Sequence, residues 1–97
     1  MQTYKDNLKL KALECGVPEH CVDGLINYIS DRIPPGGFLE ALLSNDLAEA
    51  CGRADEINKH RLYEYMTFLY NHAPGLCWGN PGRVYKWLDR ESEEKAG

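Results

Sequence analysis

The sequence predicts an all-α fold, a compact bundle of five or six short helices joined by Pro/Gly corners. Three observations predict it. Apolar residues recur at i, i+3, i+4 and i+7 in several stretches, most clearly Leu62, Tyr65, Met66, Leu69 and Tyr70. Between these stretches stand Gly16, Pro34-Pro35-Gly36-Gly37, Pro74-Gly75 and Pro81-Gly82, residues that end helices and start turns. No alternating run rich in valine or isoleucine and flanked by hairpin turns occurs.

The elements follow in order. Tyr4, Leu8, Leu10, Ala12 and Leu13 predict a first helix over 3–14, with Gly16 placed as its C-terminal cap. Pro18 and Glu19 suit the first turn of a second helix over 18–32. Its stripe is Val22, Leu25, Ile26 and Ile29, with Ile33 continuing it one turn later and the two prolines ending it. A third helix opens at Gly37 or Phe38 and carries Leu39, Leu42 and Leu43. Ser44-Asn45-Asp46 interrupts it. Asp46 followed three residues later by Glu49 is a capping pattern, so a break at 44–46 and a short fourth helix to 52 are expected. One bent helix over 37–52 is the alternative.

Asp55 can cap the central helix, placed at 57–70, with Tyr63 and Phe68 adding apolar surface beyond its stripe. Asn71-His72-Ala73-Pro74-Gly75 closes it. Asn80 as cap and Pro81 as first residue open the last helix, and Val84, Trp87 and Leu88 pin it to the core. The polar end, 89–97, is expected to fray.

At 97 residues the chain is expected to be one domain, 1–97, with a modest core. Domains of this size gain from association, and the aromatic-rich central helix points to a homo-oligomer. The net charge of −4 argues against duplex nucleic acid, which needs a basic face. No run of 18 apolar residues could span a membrane. The N-terminus has no apolar core of a signal peptide, and the four cysteines form no Cys-x-x-Cys pair; both point to a cytoplasmic chain with reduced thiols. The histidines His20, His60 and His72 have no zinc-site spacing with a matching second pair. No P-loop, nucleophile elbow or His-Glu-x-x-His occurs, so neither cofactor nor catalytic residues are assigned.

Binding chemistry is better represented. The turn at Gly36, Gly37 and Phe38 offers N–H groups at a helix start, which can hold an anion without a charged side chain. Asn45 and Arg53 can hydrogen-bond a polar or phosphate group. Trp78 can stack on a base, worth about 1–3 kcal/mol. Arg61 and Arg83 are further phosphate partners. The plainer alternatives are a tight corner for the glycines, capping for the asparagines, solvated arginines and a core plug for Trp78.

Ile33-Pro34-Pro35-Gly36-Gly37-Phe38-Leu39, Asn45-Asp46-Leu47, Ala54-Asp55, Asn58, Phe68-Leu69-Tyr70-Asn71, Pro74 and Cys77-Trp78-Gly79 together resemble a family of small helical proteins encoded by phages and prophages. The resemblance covers 17–88. It implies a bacterial host cell and a counter-defence role: some small phage proteins are oligomeric sponges that sequester cyclic nucleotide immune signals. The leading expectation is a non-enzymatic protein that binds such a signal through Gly36, Gly37, Phe38, Asn45, Arg53 and Trp78. The alternative is an adaptor or inhibitor that anchors a host protein on Tyr63 and Phe68. A third is an enzyme that degrades the signal.

Overall fold

In the computed structural model, which describes residues 3–89, the chain is a compact all-α bundle without strands among the described residues. Its helices are α1 (Thr3–Cys15), α2 (Glu19–Asp31), α3 (Gly37–Leu43), α4 (Leu47–Arg53), α5 (Leu62–His72) and α6 (Pro81–Trp87). Short 3-10 turns, Asn58–His60 and Gly75–Cys77, precede α5 and α6. No described helix is long and apolar enough to cross a membrane. The expected fraying lies, beyond Asp89, outside the described residues.

Local chemistry sets the ends. Gly16 takes φ +96°, and the Gly16 and Val17 amides return to the carbonyls of Leu13 and Ala12, closing α1. The break at 44–46 is real, and it follows the same rule. Asn45 takes φ +64°, its amide donates to Leu42 and that of Asp46 to Ala41. Asp46 at once caps α4, accepting the Glu49 amide at 3.2 Å. Asn80 caps α6 by accepting the Arg83 amide at 2.9 Å.

The core gathers Val22, Leu25, Ile26, Tyr28 and Ile29 of α2, Leu39, Leu42 and Leu43 of α3, and Tyr65, Phe68 and Leu69 of α5. From α1 Leu8 and Ala12 are buried in it and Cys15 packs against it; Tyr4, Leu10 and Leu13 stay about half exposed.

Four expectations need correction. Ile33 does not continue the α2 stripe; it is exposed, because the helix stops at Asp31 and Arg32 turns the chain away with φ +60°. Leu47, the first residue of α4, is also exposed. The central helix does not run 57–70: a 3-10 turn ends at His60 and α5 starts at Leu62. A continuous helix would set Asn58 and Tyr65 two turns apart, about 10 Å along the axis. The break at Arg61 lets the Tyr65 hydroxyl close on Asn58 at 2.7 Å. Finally, Phe68 is fully buried and so cannot anchor a partner, while Tyr70 of the expected core stripe is 81% exposed.

Candidate functional site

The six residues singled out from the sequence do not line one hollow. Gly36 caps α3 with φ +101°, and the first bond inside the helix is Glu40 N–H to the Gly36 carbonyl at 2.9 Å. The amides of Gly37, Phe38 and Leu39 therefore precede the ladder. Arg53 lies over this turn: a Cβ added at Gly37 would sit 2.8 Å from Arg53 Nη1. Gly37 and Arg53 thus share one hollow of about 370 Å³. Its other walls include Glu40, Asp46 and Glu49, and Glu49 already binds Arg53 at 3.1 Å. Three carboxylates against one paired arginine oppose an anion there.

Phe38 turns inward, edge-on to Tyr65 with ring centroids 5.5 Å apart. Asn45 lines a neighbouring hollow with Leu47, Leu62 and Met66, and its backbone turn accounts for its identity. Trp78 is half-buried. It lines a third hollow with Tyr63, Met66, Thr67, Tyr70 and Asn71. Its Nε1 is buried and has no hydrogen-bond partner among the described residues.

A different groove is lined by three cationic side chains. Its foundation is Tyr28, fully buried on α2. The Tyr28 hydroxyl donates to the Cys77 carbonyl at 2.6 Å, tying α2 to the turn before α6. The Tyr28 carbonyl accepts the Trp87 indole N–H at 3.0 Å, tying α2 to α6 itself. Burial beside this junction pushes the Cys77 thiol up to about 12, which keeps it protonated and unreactive at neutral pH.

Trp87 is therefore held at its edge, and Arg32 covers its face. The Arg32 guanidinium carbon lies 4.1 Å from the ring centroid, a cation–π contact worth about 0.5–1 kcal/mol at an exposed site. Arg32 reaches that position because its backbone takes the left-handed turn that ends α2, which costs a non-glycine residue roughly 1–2 kcal/mol.

From α6, Arg83 and Lys86 line the same groove, one turn apart, and Leu76, 71% exposed, supplies the apolar wall. Arg83 is aimed by bonds from Nη1 to the carbonyls of Gly75 (3.1 Å) and Trp78 (3.3 Å). The groove holds about 440 Å³, within the range of about 300–1,000 Å³ typical of small-ligand sites. None of Arg32, Arg83 and Lys86 is ion-paired with a described carboxylate, and no described carboxylate lines the groove.

Sequence reasoning named Arg83 and missed Arg32, Lys86, Trp87 and Leu76 as a group. The spacing of Arg83, Lys86 and Trp87 at i, i+3 and i+4 put three of them on one helix face. Arg32 and Leu76 come from elsewhere in the chain and left no such trace.

At the opposite junction the charges are paired. Asn58, 3% exposed, receives the Tyr65 hydroxyl and donates to Cys21 Sγ at 3.4 Å. Its own amide donates to Asp55 Oδ1 at 2.7 Å, and His20 Nε2 lies 3.0 Å from Asp55 Oδ2. The Asn58 amide first and then His20 hold the Asp55 carboxyl below the usual carboxylate range, and burial raises the Tyr65 hydroxyl. Among the described residues no group of three His, Cys, Asp or Glu could hold a metal ion.

Comparison with family models, with curated proteins and with solved structures finds no match to this chain.

Proposed function

We propose that this protein is a non-enzymatic binding protein that captures a small anionic ligand of nucleotide type, held by Arg32, Arg83, Lys86 and Trp87. One observation carries the reading. On a chain of net charge −4, three cations without a carboxylate partner among the described residues border a groove that also holds an anchored indole and an exposed leucine. Guanidinium and ammonium groups suit phosphate oxygens. The Arg32 guanidinium plane and the apolar wall suit a base. In the resemblance to phage-encoded proteins the ligand is an immune signal, and its capture in the host cytoplasm is counter-defence.

The test is retention of ligand. The purified protein is incubated with a pool of cyclic and linear nucleotides, freed of unbound material, heated and assayed by mass spectrometry. One nucleotide released intact is expected. Lys86→Glu and Arg32→Glu, both at exposed positions, are expected to weaken its retention about tenfold or more, the scale of a lost charge-assisted contact. An empty fraction, or retention unchanged in both variants, overturns the reading. A nucleotide consumed and replaced by a product replaces it with an enzyme.

A further inference from the structure

The outward side of α5 has no part in the groove above. Tyr63 and Tyr70, two turns apart, are 79% and 81% exposed, and half-buried Met66 and Thr67 lie between them. Leu47, 65% exposed, borders the same stripe across the hollow it shares with Met66. Trp78 flanks it on the other side. The one carboxylate of α5, Glu64, is turned away: its Cγ comes within 2.7 Å of a Cβ built on Gly16, and its Oε2 lies 3.5 Å from Arg61.

The polar residues of the stripe have spent hydrogen bonds on their own helix. Thr67 Oγ1 donates to the Tyr63 carbonyl at 3.0 Å, and Asn71 Nδ2 donates to the Thr67 carbonyl at 2.9 Å. From Tyr63 to Asn71 the face thus carries no charge, and its main outward hydrogen-bonding groups are the two tyrosine hydroxyls at its ends, which a facing side chain can satisfy. Such a face loses little on burial.

We propose that this face meets a second copy of the chain, with the two α5 helices antiparallel about a two-fold axis that passes between Met66 and Thr67. The stripe is its own complement. That axis sets Tyr63 of one copy against Tyr70 of the other at both ends, and Met66 against Thr67 at the centre, as an isologous contact requires. A foreign partner would have to match an uncharged, aromatic surface that offers no charge for steering. A second copy matches it by symmetry.

The area agrees. Large aromatics present on the order of 150–250 Å² each. Two tyrosines four-fifths exposed, with Leu47 and the edges of Met66 and Trp78, therefore give roughly 500 Å² per copy. The total of about 1,000 Å² is the lower bound of a specific interface. The dimer is accordingly a concentration-dependent one, and its face shares no residue with the Arg32–Trp87 groove, so both copies keep their ligand sites.

Sedimentation equilibrium across a concentration series tests the proposal. The wild type is expected to pass from monomer to dimer, and Tyr63→Glu and Tyr70→Lys singly to weaken association about tenfold or more. Because both side chains are exposed, circular dichroism and melting temperature serve as the control for folding. The double variant Tyr63→Glu/Tyr70→Lys restores the dimer, since the axis pairs the new glutamate with the new lysine of the other copy. A wild type that stays monomeric at hundreds of micromolar overturns the proposal, as does a dimer that both single variants leave intact. A double variant that fails to recover overturns the antiparallel pairing.

Discussion

The two ends of the bundle are joined in the same way and charged in opposite ways. At one end Asn58 is the buried polar residue that links the turn before α5 to α2 and α5; at the other, Tyr28 links α2 to α6 and the turn before it. Around Asn58 the polar and charged side chains satisfy one another: His20 with Asp55, Lys59 with Glu56, Arg61 with Glu64. Around Tyr28, the side chains of Arg32, Arg83 and Lys86 have no such partner among the described residues. A buried polar junction is thus a means of fastening short helices, and says nothing of function by itself. What separates the ends is the unspent charge above the junction.

The sharpest way to break the Asn58 end is Asn58→Ala. It leaves the Tyr65 hydroxyl and Cys21 without their partner in a buried site, and opens a small void. Each unsatisfied buried group costs about 1–3 kcal/mol, so a loss of about 2–3 kcal/mol is expected. Calorimetry should show the melting temperature falling by about 10–20 °C, given roughly 4–8 °C per kcal/mol in a domain of this size. Ligand retention measured well below that temperature should be unchanged, because the groove lies at the other junction.

Tyr28→Phe is the matching change at the groove end. It keeps the ring, removes the hydroxyl and strands the Cys77 carbonyl, while the Tyr28 carbonyl still holds Trp87. The hydroxyl's bond to the Cys77 carbonyl is lost, and about 1–2 kcal/mol is expected from denaturant unfolding. A larger loss than that of Asn58→Ala would reverse the ranking of the two junctions.

Arg32→Gly separates function from stability. Glycine accepts φ +60° without strain, which returns roughly 1 kcal/mol, and the lost cation–π contact takes back about 0.5–1 kcal/mol. The net change in stability is expected within about 1 kcal/mol. Ligand retention should nonetheless fall about tenfold, the equivalent of one charge-assisted contact. Retention equal to wild type would remove Arg32 from the site.

Much of this architecture was legible in the residues, for stated reasons. Gly16, Asp46 and Asn80 mark their helix ends because each does something at a terminus that few residues do: left-handed backbone or a short accepting side chain. Arg32 gave no such sign, since arginine carries no preference for a left-handed turn, and Pro34-Pro35 looked like the stop. Periodicity also left the rotation of α5 open. Leu62, Tyr65, Met66, Leu69 and Tyr70 form one stripe, yet Tyr65, Phe68 and Leu69 form another with the same spacing, and the core took the second. The groove was hidden for a further reason. It draws residues from the turn that ends α2, from the turn before α6 and from α6, and only tertiary packing brings them together.

The smallest expected effect concerns the paired charges at the Asn58 end. Asp55 is an acid whose native pKa is lowered, so the folded state binds fewer protons than the unfolded one in the window just below the ordinary carboxylate value, about 3.9. Its contribution is then present in full above that value and lost as pH falls through the lower native one. The carboxylate is exposed, which keeps the contribution small. Asp55→Asn retains an oxygen to accept the Asn58 amide but does not titrate. Melting temperatures measured from neutral pH down through the acid range should therefore fall slightly more steeply for the wild type than for Asp55→Asn, the two curves converging at the acid end. Parallel curves would assign the acid sensitivity of this end to other carboxylates, and would leave the Asn58 amide bond as capping geometry without an electrostatic part.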